Sequence, residues 1–255
     1  MHTTFCDGKS TAEEMVQSAI EKGLTRVGLS IHSEQFHPVI CARDPEVMAA
    51  HRAEVARLKN VYHDRIEVLC CAECDYYFPV DKKDYDYILG SAHNLQTPDG
   101  LLAIDWSADR LMDLTAKYYN NDIFQTAEAY FATVARLAEM QPDIIAHFDL
   151  ISKFNEGNRL FDSNDPRYLA AAFAAVDALL PLGVPFEINT GAISRGYRTR
   201  PYPADPILQY ILAHGGKVIL SSDSHAAQNV AYDFDAWTHL VPAEAWYDHR
   251  KIGRK

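Results

Sequence analysis

This sequence is short of several things, and each shortage removes a class of protein. Long apolar runs are missing: the longest, Tyr168–Val176, falls well below the ~20 residues a bilayer span needs. The opening MHTTFCDGKS has no charged stretch leading into an apolar one, so no secretory leader is expected. Cysteine is scarce, 5 in 255 residues, an odd number without the spacing of a disulfide framework, which points to a reducing, cytoplasmic setting. Positive charge is in deficit, with 24 Lys and Arg against 35 Asp and Glu for a net charge of −11. Proteins that neutralise phosphate backbones show the reverse balance, so neither nucleic acid nor a membrane is an expected partner.

Signature loops are missing as well. No cysteine has an arginine at the Cys-x5-Arg spacing of a thiol phosphatase, and neither a GxSxG elbow nor a Walker A loop occurs. Asp84-Tyr85-Asp86 has the letters of an aspartate-nucleophile phosphatase but precedes its strand-like run instead of following it. Ser222-Asp223-Ser224-His225 contains triad letters, yet sequence neighbours rarely take triad geometry. Cys71-x-x-Cys74 is a single pair enclosing Glu73, with no second pair to complete a thiolate site.

What is there is an ordinary globular composition, 48% hydrophobic and 23% charged, in a chain the size of one barrel domain. One domain over 1–255 is expected. Short apolar runs alternate with helical periods. Thr25–Ser30, Ile66–Cys71, Tyr87–Ser91, Ile144–His147, Pro185–Asn189 and Lys217–Ser221 read as parallel strands covered on both faces. Thr11 and Glu14 form a capping box for a helix that Gly23 stops. Further helices are predicted over Pro45–Lys59, Ile123–Met140, Pro166–Leu182 and Pro206–His214. This alternation argues for a parallel α/β sheet or barrel. Only a few residues precede the first helix, so the first strand is expected to be truncated or missing.

The chemistry is in what ends the strands. His32, Glu73, His93, His147 and the Asp223/His225 pair each follow an apolar run, and His2 stands where a first strand would end. Parallel βα folds converge these carboxyl ends on one mouth. Imidazoles and carboxylates meeting there suit Zn, Mn or Fe, with no thiolates to suggest a structural cysteine site. A single histidine at a strand end is commonly just hydrogen-bonded surface, but nearly every strand here delivers a ligand type at the same end. His37, His51, His63, His214, His239 and His249 follow no such pattern and read as structural or solvated.

At these residues the sequence resembles the PHP (polymerase and histidinol phosphatase) superfamily, in particular its histidinol-phosphatase branch. The segments HTTFCDGKSTAEEM, GLSIHS, CAECDYY, YILGSAH, IIAHFDLISKFNE, EINTGAISRGYR and SSDSHA occur in the family's order. The resemblance implies a distorted, TIM-like (β/α)7 barrel holding two or three divalent ions. It implies His2, Asp7, His32, Glu73, His93, His147, Asp223 and His225 as metal ligands, with Asp7, Glu73 and Asp223 catalytic. It also implies a metal-activated water attacking a small phosphorylated substrate, L-histidinol phosphate, as a step in histidine biosynthesis, with Arg195 as the first choice for the phosphate and Arg198 after it. Lys153, Arg159 and Arg200 are weaker phosphate candidates. Two positions depart from the family. The residue two before His2, a histidine in the family, is not in this sequence, and Ile31 stands where an aspartate is common. A phosphoesterase for another monoester or a nucleotide, or a metal-binding barrel without turnover, remain open alternatives.

Overall fold

The computed structural model describes residues 1–33 and 44–253; His37 lies outside the described residues. Eight strands occur among them, β1 (Arg26–His32), β2 (Glu67–Asp75), β3 (Tyr87–Ser91), β4 (Asn94–Thr97), β5 (Gly100–Ala103), β6 (Ile144–Ile145), β7 (Phe186–Asn189) and β8 (Val218–Ser221). The helices are α1 (Ala12–Glu21), α2 (Pro45–Val61), α3 (Ala108–Tyr118), α4 (Ile123–Ala135), α5 (Leu137–Met140), α6 (Pro166–Leu179), α7 (Gly191–Ser194), α8 (Asp205–Ala213) and α9 (Phe234–Thr238).

Six strands make one parallel sheet in the order β1-β2-β3-β6-β7-β8. The order is strictly sequential, with no switch point, so the sheet curls in one direction as a barrel does and is not doubly wound. Alternation along β1 sends Val27, Leu29 and Ile31 into a core layer with Met15 and Val16 of α1 and Val55 and Leu58 of α2. Ile31 is thus a fully buried packing residue. A second core, built on Tyr130, Phe131, Phe148, Tyr168, Val176 and Phe186, joins α4 and α6 to the later strands. No helix among the described residues is long and apolar enough to cross a membrane.

The expected first strand is a stub. His2 makes an isolated parallel bridge to Ser30 of β1, and its N–H donates 2.7 Å to the Ser224 carbonyl beyond β8. At the opposite end of the same gap, Trp246 bridges in parallel to Val218 of β8. Among the described residues, the position between β1 and β8 is occupied at its two ends, by His2 and by Trp246. Between them lies a cavity of about 450 Å³, lined in part by Gly28, Leu69, Leu89, Ile144 and Leu220.

Local chemistry explains the helices. Glu14 N–H donates to Thr11 Oγ1 at 3.3 Å while Thr11 N–H donates to Glu14 Oε2 at 2.7 Å, completing the capping box. The predicted helix over Ile123–Met140 is two helices, because Arg136 N–H turns to the Thr133 carbonyl and breaks the register. The last turn predicted for Pro166–Leu182 tightens to a 3-10 turn over Leu180–Leu182. The hairpin β4–β5 and helix α3 were not expected. The hairpin turns on Pro98-Asp99-Gly100, and its short strands carry mixed burial with no clean alternation.

Candidate metal centre

The carboxyl ends of the strands meet as the pattern of strand-end ligands requires. Glu73, at the end of β2, is the hub and is almost fully buried. Its Oε1 lies 2.8 Å from His93 Nε2 and 2.8 Å from His147 Nε2, and its Oε2 lies 2.8 Å from His2 Nε2. Asp223 Oδ1 is 3.4 Å from the same His2 nitrogen. Asp7 stands at the rim, 3.3 Å from His32 Nε2 and 3.2 Å from His225 Nε2. The rings pack on one another, His2 stacking on His32 at 4.1 Å and on His225 at 4.6 Å.

Three overlapping groups have ligand atoms mutually within 4.8 Å: His2, Asp7, His32 and His225; His32, Glu73 and His93; and His2, Glu73 and Asp223. His147 joins through Glu73. All eight sequence-predicted ligands are thus brought together. Two glycines permit the closeness. A Cβ on Gly8 would sit 2.5 Å from the His2 backbone, and one on Gly191 would sit 2.9 Å from Asp223 Cβ.

The electrostatics are those of a site built for cations. Burial opposes a charge on Glu73, yet His32 and His147 hold its carboxyl well below the ordinary range. Asp223 is likewise lowered against its burial, chiefly by Arg195 and His225. Burial and the neighbouring His32 push His2 down to about 3, so its ring is neutral at neutral pH. His32 and His147 go the other way: burial would lower them, but Glu73 raises both, with Asp7 helping at His32. Imidazole nitrogens at 2.8 Å from a shared buried carboxylate fit divalent cations, which take the same nitrogen and oxygen donors. His147 Nδ1 is buried with no hydrogen-bond partner.

The two expected phosphate arginines differ. Arg195 stands at the cluster, with Nη2 3.1 Å from Asp223 Oδ2 and Nη1 2.6 Å from His225 Nδ1. Arg198 is engaged elsewhere: it donates to Ser152 Oγ, sits 3.8 Å from Asp149 and lies 4.5 Å over the Tyr202 ring. That environment leaves Arg195, the first choice from the sequence, the better placed of the two. Arg200 is tied to Asp205 at 2.7 Å, and Arg159 is exposed.

The motifs set aside do not form the chemistry their letters suggest. Asp86 accepts from Cys70 N–H and from Lys59, and Ser224 Oγ donates to the Asn229 carbonyl and lies 2.9 Å from Ser222 Oγ, not on a histidine. Cys71 and Cys74 are buried free thiols, and burial raises Cys74 to about 12. His63, His214, His239 and His249 are exposed, whereas His51 is fully buried.

Three carboxylates escaped the sequence reading. Asp75 accepts the His93 N–H at 2.7 Å, and Glu187 accepts the His147 N–H at 2.9 Å. Asp105, after β5, lies 3.6 Å from His93 Nδ1. Glu187 sits within a strand and Asp75 at a strand end two residues past Glu73, so strand-end position alone could have flagged Asp75. Asp105 lacks the strand-end signal: Pro98-Asp99-Gly100 marks a turn, but the runs on either side of it show no strand alternation.

The geometry can be set beside known proteins. The chain is 27% identical over 252 residues to a probable histidinol-phosphatase of Schizosaccharomyces pombe, covering 90% of this chain and 80% of the relative. It is 21% identical to a histidinol-phosphatase of Bacillus subtilis, covering 93% and 96%. Among solved structures, a putative histidinol phosphatase from Listeria monocytogenes aligns with a TM-score of 0.78 at 18% identity, covering 92% of this chain and 97% of that one. A histidinol phosphate phosphatase from Lactococcus lactis, complexed with zinc, L-histidinol and phosphate, aligns with a TM-score of 0.69 at 17% identity, covering 97% and 92%. The PHP domain model matches residues 1–191, which include every ligand position on the first stub and on β1 to β6. The chain with this strand-end cluster of imidazoles and carboxylates belongs to the PHP domain family.

Proposed function

We propose that this chain is a metal-dependent phosphomonoester hydrolase that converts L-histidinol phosphate to L-histidinol and phosphate in the cytoplasm, with residues 1–255 acting as one catalytic unit. The observation that carries the reading is Glu73, one buried carboxylate met at 2.8 Å by three imidazoles from three separate segments. A purely structural glutamate has no need of such a set. The names of the two curated relatives support the substrate, and buried free cysteines suit a reducing compartment.

His2, Asp7, His32, Glu73, His93, His147, Asp223 and His225 would hold two or three divalent ions, of zinc, manganese or iron. When bound, such ions acidify water and neutralise phosphate oxygens. The residues of the chain do the rest. Arg195, whose Nη1 and Nη2 lie on His225 and Asp223, brings a guanidinium charge to the cluster, and its remaining N–H groups suit a phosphate oxygen. Asp7 acts as a carboxylate and not as a proton donor: burial works against its charge, yet His32 and His225 keep it well below the ordinary range. A proton for the histidinol alkoxide therefore comes from a neighbouring imidazole or from water. Ile31 takes no part, because it packs under the sheet.

The test is phosphate release from L-histidinol phosphate by protein loaded with manganese, zinc or iron, beside a panel of sugar and nucleoside monophosphates. Turnover should be highest on histidinol phosphate and vanish with chelator. Equal activity in metal-free protein, or a metal-loaded chain that ignores histidinol phosphate, sinks the proposal.

A further inference from the structure

His93 is gripped from several sides, and one of them belongs to a residue that no strand-end pattern reveals. The antiparallel pairing of Asn94 with Ala103 in β4–β5 continues one step further, where Ile104 N–H donates 2.9 Å to the His93 carbonyl. The hairpin therefore returns the chain to its starting point and sets Asp105 behind the His93 ring. Asp105 Oδ2 is 3.6 Å from His93 Nδ1, an ion-pair separation that a small ring rotation closes to a hydrogen bond, while Nε2 of the same ring faces Glu73 at 2.8 Å. Lys153 fixes the aspartate: its ammonium donates 2.8 Å to the Asp105 carbonyl and 3.1 Å to Oδ2. Lys153 itself follows the turn after His147, so the ion pair ties the hairpin to the segment carrying a second ligand.

We propose that Asp105 is a positioning residue for the metal centre, taking the Nδ1–H of His93 so that Nε2 is presented to the ion, with Lys153 as its anchor. This rests on the metal-dependent reading above. A carboxylate behind a ligating imidazole fixes the ring and raises its basicity, and its loss costs about 10- to 100-fold in metal affinity. The hairpin then has a purpose. It converts one sequence-adjacent ligand into a ligand held at both ring nitrogens.

The experiment is titration of the metal-free full chain with zinc against a chromophoric chelator, for wild type, Asp105→Ala, Asp105→Asn, Asp105→Glu and Lys153→Met, with melting of each metal-free protein. Asp105→Ala should weaken one ion about 10- to 100-fold and leave the remainder near wild type. Asp105→Glu should recover part of that loss, and Lys153→Met should show a smaller one. If Asp105→Ala does not fold, the near-isosteric Asp105→Asn carries the same test. Wild-type affinity for every ion in both variants overturns the proposal. So does a uniform loss of all ions together with a lower metal-free melting temperature, because that outcome is a general structural role. The titration needs no substrate: a chain that binds zinc but leaves histidinol phosphate intact refutes the proposed activity and not the role of Asp105.

Discussion

Replacing Glu73 with glutamine keeps the side chain's size and removes its charge, and the consequence can be worked from the cluster. Glu73 belongs to two of the three candidate ligand groups, while the third, His2 with Asp7, His32 and His225, does without it. An ion present at about 100 times its Kd stabilises the folded state by about 2.7 kcal/mol, so three independent ions contribute about 8 kcal/mol. In a domain of this size each kcal/mol moves the melting temperature by about 2–4 °C. Metal loading should therefore raise the wild-type melting temperature by roughly 15–30 °C, and that of Glu73→Gln by only about 5–10 °C. The comparison is between metal-free and loaded forms of each protein, because removing one partner of a buried charge cluster costs about 3–5 kcal/mol by itself. Calorimetry with metal content measured on the same samples reads both quantities. A Glu73→Gln protein that keeps the wild-type increment and the wild-type metal count would falsify the assignment of Glu73 as the shared ligand.

Other perturbations reach different parts of the molecule. Arg195→Lys keeps the charge but loses the fork; with charge-assisted hydrogen bonds worth about 1.5–3 kcal/mol, KM for histidinol phosphate should rise roughly 10- to 100-fold, and unchanged steady-state kinetics would remove Arg195 from the phosphate site. His51 is fully buried, and burial together with the nearby amino terminus and Arg52 lowers it to about 4. The unfolded chain therefore binds a proton between pH 6.5 and 4 that the folded chain refuses, and stability falls with pH across that window, by up to about 3 kcal/mol at about 1.36 kcal/mol per unit. His51→Leu should flatten that part of the stability profile in urea titrations, and a slope identical to wild type refutes the assignment. Adding a short strand of alternating apolar residues before Met1 should place side chains in the cavity of about 450 Å³ between β1 and β8. Two newly buried side chains should contribute about 3–6 kcal/mol; a Gly/Ser extension of equal length is the control, and equal melting temperatures for the two would show that the gap does not take a strand.

The strand-end cluster was legible in the sequence because its rule is local. A parallel strand shows as a short apolar run, its carboxyl end faces the mouth, and a histidine or acid at that end is therefore a site residue. His32, Glu73, His93, His147, Asp223 and His225 all obey that rule, and the cluster contains each of them. Helix ends also followed local chemistry, as the Thr11/Glu14 box and the left-handed Gly23 show.

What the sequence could not determine were relations between residues distant along the chain. Arg195 and Arg198 are two residues of one type in one short segment, and the packing of Arg198 on Asp149 and Tyr202 is the physical difference between them. Ile31 stands where the family commonly has an aspartate, and the pleat of β1 places it in the layer against α1 and α2. Asp105 became visible only once an unpredicted hairpin folded it back behind His93. Identity at a strand end is written in the chain one residue at a time, so the sequence alone determined the donor set. Which second carboxylate or cation stands behind each donor depends on pairing and packing across long separations, and that was decided by the tertiary structure.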